Sequence, residues 1–164
     1  MAISQSVLDC WQANDQVNAN LLEHLSQEMM SAQTPGGGMT VAGHLAELAG
    51  TPEYWVSRLA PGKVRRTQRL YSITADDEFV PETDLEKYRA HFQEGRDAAL
   101  AAAQGVPDGE TGEAPHLNAD AVLLHMIVHD SHHRGQLLLA LKVNGFPLPS
   151  EEAMWLPWRD EWVG

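Results

Sequence analysis

Four of the chain's eight histidines stand inside nine residues, at His125, His129, His132 and His133. Imidazoles four apart on a helix share one face with Cβ atoms about 5–6 Å apart, so His129 and His133 can close on one metal ion with bonds of about 2.0–2.1 Å. His125 extends the row, but at 1.5 Å per residue it lies about 12 Å from His133 along the axis, too far to share that ion. His132 points about 100° away from His133 and is the weaker ligand candidate. Histidines at this spacing also cap helices, hydrogen-bond or sit at interfaces, so the pair by itself leaves both readings open. Two observations favour a metal. The pair lies among Leu123, Leu124, Ile127, Val128, Leu137 and Leu138, where an imidazole without a partner carries a burial cost, and His44 on another helix offers a third ligand.

Other metal architectures fit less well. A ferritin-like di-iron site needs two Glu-x-x-His elements on inward helix faces, and the match from Glu113 to His116 falls in a Pro/Gly loop. HExxH is absent, since Asp130, Ser131 and His132 follow His129. Cys10 is the single cysteine, which rules out both a thiolate cluster and an intramolecular disulfide.

The elements that must position these groups read as helices. Apolar residues recur with the 3.6-residue period in four long segments, and period-2 alternation bounded by turn residues is essentially missing. The first helix is expected over 4–31, with Val7, Leu8, Trp11, Leu21, Leu22, Leu25 and Met29 as its stripe. Asn14 and Asn18 fall on that same face, either as satisfied core amides or looking into a polar cavity. After the loop at 34–38, Thr40 can cap a second helix to about Leu59, with Val41, Leu45, Leu48, Trp55 and Leu59 inward. Pro52 predicts a kink or a restart in that helix. A loop of 60–82 follows, and Thr83 with Glu86 has capping-box spacing ahead of a third helix whose stripe is Leu85, Tyr88, Phe92, Gly95, Ala99 and Ala102. Asn118 can cap a fourth helix that ends at Asn144-Gly145, where a left-handed glycine closes it.

Four such helices bury their stripes against one another, so the expected fold is an all-α four-helix bundle with a long crossover between helices 2 and 3. Short loops make the first two antiparallel, and the last two likewise. Residues 1–164 are the size of one domain, with a Trp-rich tail at about 147–164 packed as irregular structure or a short helix over one end. Gly135 within the fourth helix costs about 1 kcal/mol relative to Ala and is read as permitting close helix packing.

Composition bounds the partners. Lys and Arg total 11 against 23 Asp and Glu, a formal net charge of −12 that repels phosphate backbones and anionic lipid, so neither nucleic-acid nor membrane partners are expected. Five basic residues cluster at Arg58, Lys63, Arg65, Arg66 and Arg69, as a solvated loop or an anion-binding rim. The N-terminal stretch has no signal-peptide pattern and no segment reaches membrane-span length, which makes a soluble cytoplasmic protein the expectation.

Three stretches, WQANDQVNANLLEHL at 11–25, His44 in GHLAELAGTPEYW, and HDSHHRGQL at 129–137, resemble the DinB/YfiT-like superfamily of four-helix-bundle metalloproteins. The third is the most specific, and the likeness spans most of the chain up to about Pro149; Pro52 and the Trp-rich tail are departures from it. The resemblance implies a divalent metal, zinc or nickel, on His44, His129 and His133 in an open-sided cavity, and a homodimer. Around it, Glu47, Asp130 or Gln136 could orient imidazoles, and Asn14 and Asn18 could face the cavity, each being equally readable as solvated or satisfied in the core. Arg134 reads as an ion-pair partner or a substrate anchor. An open site of three imidazoles would activate water or a low-molecular-weight thiol for hydrolysis or S-transfer on a small-molecule substrate; the alternative is a non-catalytic metal- or ligand-binding stress-response bundle.

Overall fold

The computed structural model describes residues 3–65, 67–107 and 118–159. It is a helical bundle of α1 (Gln5–His24), α2 (Val41–Leu59), α3 (Leu85–Gln104), α4 (Ala119–Val143) and the short α5 (Glu151–Arg159). The crossover between α2 and α3 carries a two-stranded antiparallel hairpin, β1 (Tyr71–Ile73) and β2 (Phe79–Pro81). Period-2 alternation gives no sign of it because each strand is only three residues long. Its turn is held instead by Thr74, whose Oγ1 accepts from the backbone of Asp76 and Glu78, with Asp77 at φ 59°.

The helix ends follow local chemistry. Thr40 accepts from the Gly43 amide and Asn118 from that of Ala121, while Gly145 takes φ 76° beyond α4. α3 starts one residue later than the capping-box spacing suggests: Asp84 is the cap, accepting from the Glu86 amide, and the Leu85 amide is taken by Gln27. α1 is shorter than its apolar stripe. It stops at His24, and Met29 reaches the core from a separate 3-10 turn, Gln27–Ser31.

Pro52 neither breaks nor restarts α2. Its missing N–H leaves the Leu48 carbonyl without its helical donor, and Arg96 Nη1 takes that place at 2.8 Å. At the adjoining residue of each helix α3 comes close enough that a Cβ on Gly95 would stand 3.0 Å from the Ala49 carbonyl.

The core is two apolar clusters. One gathers Leu21 and Leu22 of α1 and Leu25 just after it with the start of α2 and α3 and the end of α4; the other gathers Val7 and Trp11 with the end of α2 and α3 and the start of α4. This membership makes α1 and α4 run one way and α2 and α3 the other, so α1–α2 and α3–α4 are antiparallel and the parallel step from α2 to α3 needs the crossover. Tyr88, fully buried, has its hydroxyl within reach of the carbonyls of Ala42, Leu70 and Glu82 and so ties the crossover to both helices. α5 lies on α1, where Asn20 Nδ2 donates to the Ala153 carbonyl at 2.6 Å. Among the described residues no helix is long and apolar enough to cross a membrane.

Candidate metal centre

Between the two apolar clusters every long helix turns a polar residue inward: Asn14 and Asn18 from α1, His44 from α2, Arg96 from α3, and Asp130, His133 and Arg134 from α4. The cap at Thr40 fixes where α2 begins, which puts His44 in its first turn and Glu47 one turn later on the same side. Across from them, α4 presents His129 and His133.

The four side chains meet. Nδ1 of His44 and Nδ1 of His133 are 3.0 Å apart, the His129 and His133 rings have centroids 4.4 Å apart, and His129 Nε2 lies 3.7 Å from Glu47 Oε2. Glu47, His129 and His133 each offer a ligand atom within 4.8 Å of the others, spacing that a shared ion with bonds of about 2.0–2.2 Å can gather. His44 joins through its contact with His133 and lies outside that trio. All three histidines named from the sequence therefore share one cluster, and Glu47, read there as an orienting group, stands among the convergent ligand atoms. Thr51 Oγ1 donates to Glu47 Oε2 at 2.8 Å and steadies it.

The electrostatics suit neutral imidazoles. Burial, and after it the neighbouring His129, His44 and His132 rings, pushes the His133 pKa down to about 4. Burial first, then His132, also lowers that of His44. At the cluster, two buried atoms have no hydrogen bond among the described residues, His129 Nδ1 and Asp130 Oδ1, and they face one another at 3.8 Å. A proton on His129 Nδ1 directed at that carboxylate leaves Nε2, on the Glu47 side, as the free lone pair. Ligating histidines are commonly oriented in this way. The donor set of imidazole nitrogens and a carboxylate oxygen matches a borderline divalent ion such as zinc, and the residues fit such a group.

Beneath the cluster lies a buried network. Asp130 Oδ2 accepts from Asn14, Asn18 and Arg96 at 2.6, 3.0 and 2.7 Å. Burial alone would raise the Asp130 carboxyl, but the Arg96 guanidinium, with His129 and Asn14 beside it, holds it down at about 2. Arg96, wholly buried, also binds Asp15 and lies 4.7 Å over the Trp11 ring. Arg134 Nη1 donates to the side-chain oxygens of Asn14 and Asn18. The two asparagines are thus satisfied core amides and do not look into the cavity.

Other candidates fall elsewhere. Gln136 bonds exposed His132 at 2.7 Å on the outer side of α4 and does not orient a cluster histidine. His125 packs edge-on against Trp55. In the basic loop Lys63 donates to the Gly105 carbonyl, and Arg58 and Arg69 lie over the rings of Tyr54 and Tyr71; Arg66 lies outside the described residues. Arg96 and Asp15 were missed by the sequence reading, although an arginine between Phe92 and Ala99 on an apolar stripe is the signal that could have found them.

The cluster opens into a cavity of about 370 Å³ in which Glu47 and His129 meet an aromatic wall of Tyr54, Trp55, Tyr71 and Phe79. The hairpin supplies Tyr71 and Phe79, so the crossover closes one side of the site. A model of the DinB family matches residues 1–162. Neither the curated proteins nor the solved structures gave a match.

Proposed function

The chain belongs to the DinB family, and from that premise we propose that it is a metal-dependent enzyme acting on a small-molecule electrophile, by hydrolysis or by transfer to a low-molecular-weight thiol. The observation that carries this reading is the convergence of Glu47, His129 and His133, with His44 against them, at the edge of an open, aromatic-walled cavity. Zinc or nickel held by these residues would acidify water or a thiol and so supply a nucleophile at neutral pH. The chain's own residues do the rest. Asp130 orients His129, burial keeps His133 and His44 in the neutral form that binds a cation, and Thr51 holds the Glu47 carboxylate in place. An apolar or aromatic substrate is received by Trp55, Tyr71 and Phe79, whose side chains exclude water from that wall.

The working unit in this reading is a cytoplasmic homodimer. Leu124, Val128, Leu139 and Val143 leave an apolar stripe along α4, Val128 being 68% exposed, and a second copy would cover it.

The test is turnover of aryl esters, and of an alkyl or aryl halide with cysteine as thiol, by metal-loaded protein. One of these activities is expected, lost on chelation and restored by zinc or nickel. Bound metal with turnover in neither assay would return the chain to the non-catalytic metal-binding reading.

A further inference from the structure

The residues of α4 that face away from the histidine cluster line a different, partly open cavity of about 420 Å³, bounded by α1 and α5. Val17, Ile127, Leu138, Met154, Trp155 and Trp158 make its walls apolar, and its volume falls in the range of small-molecule sites, about 300–1,000 Å³.

Two residues on its lining have features that the buried network does not use. Arg134 is only 8% exposed, and its Nη1 is engaged by Asn14 and Asn18. Among the described residues Nε and Nη2 have no hydrogen bond and no carboxylate in ion-pair range, because both buried carboxylates, Asp15 and Asp130, go to Arg96. A guanidinium edge left open in an apolar wall matches the planar fork of a carboxylate. Gly135 is the second. A Cβ built there meets nothing within 4 Å among the described residues, and its φ is not positive, so neither close packing within the described chain nor backbone conformation calls for glycine. Within the described residues of one chain, Gly135 is therefore not a site of close helix packing. What the missing side chain does is leave room beside Arg134. Glu151, the other charged residue on the lining, is exposed at the start of α5, where solvent screens it.

We infer that this cavity binds an apolar monocarboxylate, its tail against Trp155 and Trp158 and its carboxylate on the free edge of Arg134. The inference does not depend on the metal centre.

The test titrates the full chain with decanoate, 2-naphthoate and decanol below micelle-forming concentrations, followed by tryptophan fluorescence and calorimetry. Saturable binding of one carboxylate at least about tenfold tighter than decanol is expected, as a charge-assisted bond to a guanidinium supplies that ratio. The two acids distinguish alkyl from aromatic tails. Gly135→Leu fills the cavity and is expected to abolish binding while helicity and metal content stay unchanged; Arg134→Gln should remove the preference for decanoate over decanol. Failure of both acids to saturate, equal affinity for decanol, or binding that survives Gly135→Leu would overturn the inference, the last even where Arg134→Gln does not fold.

Discussion

Asp130 joins two polar regions of opposite character. Its Oδ2 is buried under N–H donors from Asn14, Asn18 and Arg96, in a layer where Arg96 reaches two carboxylates and a carbonyl freed by a proline. Its Oδ1 faces His129 without a bond, in a cluster whose ring nitrogens crowd one another and whose edge is open. The first region has been completed by the chain itself and behaves as framework. The second keeps lone pairs that a cation would satisfy. Buried polar residues therefore do not mark a functional site by themselves; the distinction lies in which of them are left with capacity to bind something.

If that contrast holds, the two regions respond differently to mutation. The largest effect is expected at the framework: Asp130→Ala takes from the buried Arg96 one of its two carboxylates and leaves Asn14 and Asn18 without their acceptor, and should cost about 3–5 kcal/mol, read as a fall in the denaturation midpoint. A loss no greater than a surface substitution gives would remove the distinction. Acid titration comes next. The unfolded chain binds a proton at His133 near 6.5 and the folded one only near 4, so stability is complete above the upper value and falls as pH drops through that window, by about 3 kcal/mol in metal-free protein. The stability supplied by Asp130, held at about 2, is complete above its ordinary 3.8 and is lost only below it, so it adds no slope in this window. Denaturant midpoints between pH 7 and 4 should show the slope in wild type and a reduced one in His133→Gln. The smallest effect is expected outside both regions, at Gln136→Ala, which should change stability by less than about 0.5 kcal/mol and leave metal content alone. A loss of metal there would mean that Gln136 supports the cluster after all.

Much of this was legible in the sequence, for reasons that differ by element. The helices, with caps at Thr40 and Asn118 and the glycine end at Gly145, are local effects, and so is the i, i+4 pairing of His129 and His133. That His44 meets them followed from bundle packing. What was not legible depends on contacts distant in sequence. Glu47 and Asp130 offer the same carboxylate chemistry one residue type apart, and only the fold puts one beside the open edge and the other under Arg96. Asn14 and Asn18 could have faced a cavity until Arg134 and Asp130 filled their bonds. The hairpin at 71–81 is too short for periodicity to show, yet it supplies half of the aromatic wall.

The central claim is that the histidine cluster is completed by a metal. Elemental mass spectrometry of untagged protein, wild type beside His129→Ala, His133→Ala and Glu47→Gln, with circular dichroism to confirm the fold, tests it most directly. The account predicts near-stoichiometric divalent metal in wild type, its loss in both histidine variants and a reduced content in Glu47→Gln. Wild type that stays metal-free after zinc and nickel are offered, or metal retained in a folded His129→Ala/His133→Ala double variant, would contradict it.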